Sequence, residues 1–191
     1  ELFAFARDKT MPITKKQLER RRQYVCASDA PAIVGVDLYG RTPKQIQASK
    51  LYQLDDKPND AMARGSLMEP VLLQYALGKV RAGRKFRSNI QRTRKCLMAS
   101  LDMAVGDDEG IEAKLVGDHA VRELYGDAGT GEVPNAVKIQ CMVQMHCAGL
   151  RRVHVIAAFS LHDWKMYVVD RDEAMLRDLV DILTEWHERH V

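Results

Sequence analysis

The chain has 191 residues, of which 46% are hydrophobic and 29% are charged, which is the composition of a folded protein with a core of its own. Its net charge of +3 is too small to indicate a partner. No apolar run approaches the roughly 20 residues that cross a membrane, and the opening ELFAFA lacks the features of a secretory signal. We therefore expect a single domain over residues 1–191, located in the cytoplasm. Reduced thiols are expected because no CxxC pair occurs among Cys26, Cys96, Cys141 and Cys147.

The N-terminal part of the chain is predicted to be helical, because cap residues precede each apolar segment at the right spacing. The predicted elements are a helix capped by Thr14 with Gln17 and ending near Tyr24, a short helix capped by Ser28 or Asp29 and ended by Gly35, a helix from Thr42–Pro43 to about Leu51, and a helix over 60–77 that Gly78 stops. In the last of these helices, helical spacing predicts that Leu67, Val71, Leu72 and Tyr75 share one side.

From residue 84 onward, stretches with strand character alternate with helices. The predicted elements are strands over 84–93, 96–101 and 110–116, a helix from Pro134 to about Cys147, strands over 152–161 and 165–170, and a last helix from Arg171–Asp172. This order predicts an α/β or α+β fold, with a central mixed sheet flanked by helices.

Charge is unevenly distributed along the chain. Basic side chains concentrate in KKQLERRR (15–22) and in RAGRKFRSNIQRTRK (81–95), whereas acidic ones concentrate at 102–112. A basic run is most often a solvated face. Two basic runs around one acidic region also suit a polyanion whose phosphates meet metal ions.

The acidic region reads LDMAVGDDEGIEAKL (101–115). Side chains alternate along a strand, so Glu112 and Lys114 are predicted to share a face. Asp102 is predicted to end the preceding strand, and a turn at 106–110 would fold it back beside Glu112. The remaining acids, Asp107, Asp108 and Glu109, are interpreted as turn residues in solvent.

This D-x9-E-x-K pattern has a specific chemical reading. Two close carboxylates repel unless a cation lies between them, and oxygen ligands select Mg²⁺ or Mn²⁺. Such an ion activates water for attack on a phosphate, and a neighbouring lysine stabilises the developing charge. The alternative is an ordinary charged hairpin with a surface ion pair, which the short pattern alone does not exclude.

Five segments in order resemble one known family: RRQYVCASDAPAIVG (21–35), RGSLMEP (64–70), ASLDMAVGDDEGIEAK (99–114), VKIQCMVQMHCAG (137–149) and MYVVDRDEAMLRDLV (166–180). The chain resembles the lambda-exonuclease-like, YqaJ-type viral recombinase family of the PD-(D/E)XK nuclease superfamily, from about Arg21 to the last helix. The resemblance implies a restriction-endonuclease-like core. It also implies a Mg²⁺-dependent 5′→3′ exonuclease on double-stranded DNA, for which Mn²⁺ is a substitute ion, and a 3′ single-stranded product.

The resemblance also implies roles for individual residues. The implied metal ligands are Glu69, Asp102, Glu112 and the backbone carbonyl of Ala113, and the implied catalytic residues are Asp102, Glu112, Lys114 and Gln140. The implied ligands of the 5′-terminal phosphate are Arg21, Ser28 and Arg41, with Lys44 competing for the place of Arg41. Guanidinium groups suit this role because they fork onto phosphate oxygens, and a helix cap at Ser28 would add backbone amides.

Each of these residues also has a plain structural interpretation. Glu69 forms a capping box with Ser66, Ser28 caps its helix, and Arg21 is solvated. Gln140 is then a polar residue of an amphipathic helix, like Gln144 one turn later.

The chain departs from the family pattern at three positions. Leu101 and Met103 flank Asp102 where proline and glycine are usual, and Val137 replaces a common aromatic residue. These departures affect the local turn geometry and remove no reacting group. The glycine-rich LYGDAGTGEVP (124–134) lacks GK[ST] and is interpreted as an exposed loop that faces DNA.

Two other functions stay open at this point. One is a structure-specific or restriction-like endonuclease on the same core, and the other is a non-catalytic DNA-binding protein on a decayed nuclease fold. For the exonuclease, the resemblance further implies a homotrimeric ring around DNA and a single-strand annealing protein as partner. No membrane contact is expected, because no apolar run is long enough, and the expected location is the cytoplasm of a bacterium or phage-infected host.

Overall fold

The structure is a computed structural model that describes residues 15–52, 59–80 and 83–191. In chain order, the elements are α1 (Lys15–Arg22), β1 (Val25–Cys26), α2 (Ala30–Ile33), α3 (Pro43–Leu51), α4 (Asp60–Val80), β2 (Phe86–Arg94), β3 (Leu97–Val105), β4 (Glu109–Leu115), α5 (His119–Arg122), α6 (Asn135–Ala148), β5 (Arg152–Ala158), β6 (Trp164–Asp170) and α7 (Glu173–His190). The predicted mixed sheet flanked by helices is confirmed. Two short elements, β1 and α5, have no counterpart in the sequence-based prediction.

The sheet has six strands and is organised around β3. One edge of β3 pairs along its length with β2, in antiparallel orientation. The other edge pairs in parallel with β1 at its start and in antiparallel orientation with β4 at its end. Beyond β4 follow β5, which is parallel to it, and then β6, which is antiparallel to β5. The middle of β3 therefore faces a gap between β1 and β4.

Two hydrophobic clusters cover the two faces of the sheet. The larger one joins α6 and α7 to strands β3 and β5, with fully buried members such as Val143, Val155 and Leu183. The smaller one lies beneath α4, where Leu72 and Leu73 pack with strand residues. Because each face has its own helices, the sheet is buried on both sides, as in other mixed α/β folds.

Several predicted helix ends are confirmed by their caps. Thr42 and Gln45 form a complete capping box at α3, and the Asp172 carboxylate accepts the backbone amides that open α7. At α2 the cap is Asp29, whose side chain makes no capping hydrogen bond, so Ser28 is not the N-cap. The cap predicted at Thr14 lies outside the described residues.

The orientation predicted for α4 is wrong. Its buried face is formed by Leu72, Leu73, Ala76 and Leu77, whereas Leu67, Val71 and Tyr75 are exposed. The helix also continues past Gly78 to Val80. Ser66 and Glu69 lie inside it, ahead of Pro70, so they do not form a capping box at a helix start. Within the described ranges, no helix combines the length and the apolar character that a bilayer span needs.

Candidate active site

The site is built where β3 and β4 diverge. The ladder between them holds three pairs, of which Met103–Ile111 is the last on the side of Asp102. One residue further, the Asp102 Oδ2 atom accepts a hydrogen bond from the Ala113 backbone amide at 3.0 Å. The carboxylate thus replaces the strand carbonyl that would otherwise pair with this amide. Asp102 was predicted to end its strand, but this is wrong, because β3 continues to Val105.

The strand also changes face at Asp102. Residues two apart on a strand normally point to the same side of the sheet. Here Leu101 packs in the larger cluster, whereas Met103 packs in the smaller one. Opposite Asp102, Asn89 has a positive φ of 53°, and the β2–β3 ladder skips this pair. This local break directs the carboxylate sideways, into the gap between the strands.

Glu112, Lys114 and Gln140 form a closed triangle on one face of the sheet. The Lys114 Nζ atom lies 2.8 Å from Glu112 Oε1, which confirms that the two side chains share a face of β4. Gln140 on α6 donates from Nε2 to the same Glu112 oxygen at 2.6 Å. Its own Oε1 atom accepts a hydrogen bond from Lys114 at 2.8 Å. The helix therefore holds both the acid and the lysine of the E-x-K segment.

The charge of Lys114 is set by two opposing effects. Burial works to lower its pKa, but the neighbouring Glu112 carboxylate outweighs burial, and Asp102 adds to its effect, so the pKa of Lys114 is raised. Lys114 is therefore a cation in the protein alone. A lysine in this state suits the neutralisation of developing negative charge better than proton abstraction.

Gln144, which the sequence places one turn after Gln140 as its nearest competitor, contacts the same carboxylate. It is only 1% exposed, and its Nε2 atom lies 2.6 Å from Glu112 Oε2. The same nitrogen donates to the Ser100 carbonyl on β3 at 3.3 Å. Both carboxylate oxygens of Glu112 are thus held by amides from successive turns of α6. The i, i+4 spacing of the two glutamines was the signal available in the sequence.

A hard divalent cation fits the donors at this gap. Asp102 and Glu112 supply carboxylate oxygens, which Mg²⁺ and Mn²⁺ prefer. The Ala113 amide faces Asp102, and the N–H and C=O of one strand residue face the same edge, so its carbonyl belongs to the same donor set. Gln144 Oε1 is buried and has no hydrogen-bond partner in the described part of the chain. A buried oxygen without a donor is unfavourable, so a cation or a bound water would stabilise this group of oxygens.

Glu69 does not complete a three-carboxylate group. It is partly buried on α4, and among the described residues no three His, Cys, Asp or Glu side chains gather in a metal-binding arrangement. In this structure the oxygen donors at the gap therefore come from β3 and β4, namely Asp102, Glu112 and the Ala113 carbonyl. A contribution from Glu69 stays a prediction.

The three residues predicted to bind the terminal phosphate lie together. Arg21 Nη2 donates to Ser28 Oγ at 3.3 Å, and Arg41 Nη2 donates to the Ser28 carbonyl at 2.7 Å. Asp37 holds the guanidinium of Arg41, with Nη2 at 2.8 Å and Nε at 3.0 Å from its Oδ1 atom. Two guanidinium groups thus converge on one serine.

A buried ion pair supports this cluster from below. Lys50 Nζ lies 2.6 Å from Asp29 Oδ2, and it also donates to the Arg21 carbonyl at 3.0 Å. The Asp29 carboxylate accepts the Cys26 amide at 3.0 Å. These bonds fix the turn that carries Ser28 to the end of α1. The sequence carries no signal for this pair, because Lys50 lies 21 residues from Asp29.

The two halves of the site share one pocket. Its polar lining includes Ser28, Asp37, Arg41, Lys114 and Gln140, and its apolar wall includes Leu38, Val121, Tyr125 and Val137. Lys44, the competitor of Arg41, lies on the exposed side of α3 and does not line this pocket. The pocket thus joins two of the residues predicted to bind the phosphate, Ser28 and Arg41, to Lys114 of the E-x-K segment.

The prediction that Asp108 and Glu109 are turn residues in solvent is wrong for Glu109. Glu109 begins β4, is 6% exposed, and lies on the face opposite Glu112. Arg84, Arg151 and His154 bind its carboxylate at distances between 2.6 and 2.9 Å. The two arginines also bind Asp108. Glu109 is therefore the centre of a separate ionic cluster that ties the β3–β4 turn to the start of β5.

The fold and the site agree with the class of protein that the sequence resemblance predicts. A mixed sheet flanked by helices, whose central strands carry Asp102, Glu112 and Lys114, is the arrangement expected of a PD-(D/E)XK nuclease core. The model of the YqaJ-like viral recombinase domain matches residues 16–151, and the chain belongs to this family. No curated protein matches the sequence.

Solved structures share the fold at low sequence identity. An alkaline exonuclease from Laribacter hongkongensis has a TM-score of 0.72 at 18% identity, over 92% of this chain and 92% of that one. The same enzyme in complex with dAMP gives 0.71 at 17% identity, again over 92% of both chains. A phage-related exonuclease from Haemophilus somnus gives 0.66 at 14% identity, over 87% of this chain and 92% of that one.

Proposed function

We propose that the protein is a Mg²⁺-dependent exonuclease that degrades double-stranded DNA 5′→3′ from phosphorylated ends and leaves 3′ single-stranded tails. One observation carries the proposal: Ser28 and Arg41 line the same pocket as Lys114 and Gln140. A terminal phosphate bound at the first pair would present the next phosphodiester to the second pair. Such an arrangement sets the cut close to the end of the strand.

In this mechanism, a bound Mg²⁺ would supply Lewis-acid chemistry for the activation of water and the stabilisation of charge on the phosphate. Asp102, Glu112 and the Ala113 carbonyl would hold the ion, and Glu69 is proposed as a further ligand. Lys114, a cation beside Glu112, donates hydrogen bonds toward the attacking water and the charge that develops on the phosphate. Gln140 keeps the Lys114 ammonium in place through its Oε1 atom, 2.8 Å away.

The phosphate end of the pocket determines direction. The Arg21 and Arg41 guanidinium groups are suited to clamp a 5′ phosphate against Ser28, because planar paired donors match phosphate oxygens. Family membership and the fold shared with solved exonucleases support the nuclease reaction. The dAMP complex of the Laribacter enzyme supports a nucleoside monophosphate as product.

The test is digestion of end-labelled linear duplex DNA, with or without a 5′ phosphate, in the presence and absence of Mg²⁺. We expect progressive release of nucleotides from phosphorylated ends, in Mg²⁺ only, with Mn²⁺ as a substitute. Cutting of closed circular DNA would instead favour an endonuclease. A lack of any hydrolysis, together with retained DNA binding, would favour a non-catalytic protein.

Arg21→Ala tests the direction of digestion separately. Loss of one charged hydrogen bond to the terminal phosphate is expected to reduce the preference for phosphorylated ends by about 10–100-fold. Lys44→Ala, on the exposed side of α3, is the matched control and should retain the preference. An unchanged preference in Arg21→Ala would contradict the assignment of the phosphate pocket.

The proposal extends to the setting in which the enzyme works. We infer a homotrimeric ring around duplex DNA, loading of the 3′ tail with a single-strand annealing protein, and activity in the cytoplasm of a bacterial or phage-infected host. Membership of a viral recombinase family supports each of these points. Light scattering of the purified protein tests the first, since a stable monomer would contradict the ring.

A further inference from the structure

Gln144 is an exception on its helix. Its neighbours Met142, Val143 and Met145 are fully buried and apolar, and a glutamine at 1% exposure stands among them. Polar side chains are rarely buried to this degree unless every polar atom is paired. Here the amide nitrogen is paired, but the amide oxygen is not.

The amide nitrogen bridges the two diverging strands. It contacts Glu112 Oε2 on β4 at 2.6 Å and the Ser100 carbonyl on β3 at 3.3 Å. Both partners are acceptors only, so the nitrogen and not the oxygen must face them. A rotated amide would place Oε1 against a carboxylate. The orientation of Gln144 is therefore set by its contacts, and Oε1 is left as an acceptor without a donor.

The two glutamines of α6 have different positions. Gln140 lines the pocket and contacts Lys114. Gln144 lies one turn further along the helix, contacts the other oxygen of Glu112, and is not part of the pocket lining. Because Gln144 is 1% exposed, it contacts the Glu112 carboxylate from the interior of the protein.

We propose that Gln144 is a positioning residue for the metal ion. Its Nε2 atom holds the Glu112 carboxylate in its metal-binding orientation, and its Oε1 atom accepts a hydrogen bond from a water molecule of the ion's hydration shell. This inference rests on the proposed metal-dependent function. Outer partners of this kind orient metal ligands, and their loss typically weakens metal affinity by about 10–100-fold.

The experiment measures Mn²⁺ binding by electron paramagnetic resonance in the absence of DNA, for the wild type, Gln144→Met and Gln140→Met. Methionine has a similar size and no amide. We expect Gln144→Met to weaken Mn²⁺ binding by about 10–100-fold, with most of the turnover restored at saturating Mn²⁺. Gln140→Met should mainly lower turnover, because Lys114 still contacts Glu112 Oε1.

Gln74→Met, on the exposed side of α4, is the control for the substitution itself and should bind Mn²⁺ as the wild type does. Thermal unfolding without metal and binding of DNA ends in EDTA show whether each variant is folded. If Gln144→Met does not fold, Gln144→Ala leaves a space that water can enter, and it carries the same expectation.

Equal Mn²⁺ affinity in the wild type and Gln144→Met would overturn this inference and leave the proposed function intact. A variant that loses metal affinity, DNA binding and thermal stability together would also overturn it, because Gln144 would then be purely structural. Absence of both Mn²⁺ binding and DNA hydrolysis in the wild type would contradict the proposed function itself.

Discussion

Glu109 and Glu112 lie on the same strand, and both are buried, at 6% and 4% exposure. Their surroundings differ in charge. Glu109 is bound by two arginines and a histidine, whereas Glu112 is bound by one lysine and two neutral amides. The charge of Glu109 is thus neutralised by side chains of the protein itself, whereas Glu112 has fewer cationic partners.

The difference indicates that Glu109 has a structural role on β4 and that Glu112 is available for chemistry. A buried carboxylate needs compensation by opposite charge or hydrogen bonds. Around Glu109 that compensation comes from long side chains that also close the β3–β4 turn. Around Glu112 the compensation comes from one lysine and two neutral amides. A second acid, Asp102, lies next to it, and two neighbouring carboxylates suit a binding site for a cation. Four predictions test the comparison.

The largest effect is expected at Glu112. Glu112→Gln keeps the size of the side chain and removes the charge, so DNA hydrolysis should fall by about 10²–10³-fold or more. Lys114→Met should lose a similar factor, because it removes the only cation that contacts Glu112 in the described part of the chain. Initial rates on 5′-phosphorylated duplex measure both. Near wild-type rates in either variant would refute the catalytic assignment.

Glu109→Gln should have the opposite profile. The substitution removes the buried charge that Arg84, Arg151 and His154 contact, so the free energy of unfolding should fall by about 1–3 kcal/mol. Hydrolysis at 25 °C should remain within a few-fold of wild type. Urea denaturation measures the loss of stability, and initial rates of DNA hydrolysis measure the retained activity. A Glu109 variant that is stable but inactive would remove the distinction between the two acids.

Acid should act on the Glu109 cluster through its pKa. Burial works to raise the pKa of Glu109, but hydrogen bonds from His154 and Arg84 outweigh it and hold that pKa below its ordinary value of 4.5. A lowered pKa in the folded state stabilises the protein above about pH 4.5, and this contribution is lost as the pH falls through the folded pKa.

Thermal unfolding of the wild type and Glu109→Gln between pH 3 and 7 tests this linkage. The stability gap between the two proteins should be largest above the ordinary pKa and should close toward pH 3. A gap that stayed constant across the range would show that the carboxylate charge is not what holds the cluster.

The smallest effect is expected at Asp108. It contacts the same two arginines as Glu109, but it lies in the exposed turn, where solvent screens ion pairs. Asp108→Asn should therefore change neither the thermal midpoint nor the rate of hydrolysis measurably. A large loss of stability would show that Asp108 in the turn, and not the buried Glu109, contributes most of the stability of the cluster.

The sequence predicts the parts of the site that depend on local periodicity. Glu112 and Lys114 share a face because side chains alternate along a strand, and this follows from spacing alone. The cap at Thr42 and the start of α6 near Pro134 are likewise local signals. The grouping of Arg21, Ser28 and Arg41 came from the family resemblance, and the structure brings these residues together.

Features that depend on distant contacts could not be predicted. Asparagine adopts a positive φ more readily than most residues, but the sequence does not show that Asn89 lies opposite Asp102. The change of face at Asp102 was therefore missed, and β3 was predicted too short. The partners of Glu109 lie at least 25 residues away in the sequence. The face of α4 was misassigned because two apolar stripes overlap in its sequence, and only packing against β4 selects between them.

The change of face at Asp102 makes β3 the part of the chain with the least tolerance for added residues. Leu101 belongs to one core and Met103 to the other. An inserted residue in an ordinary strand moves one hydrophobic set to the wrong side. In β3, a single insertion ahead of Leu101 would shift the strand against both its neighbours. It would disturb two cores and move the Asp102 carboxylate away from Ala113. Insertions in loops should therefore be tolerated far better than an insertion in β3.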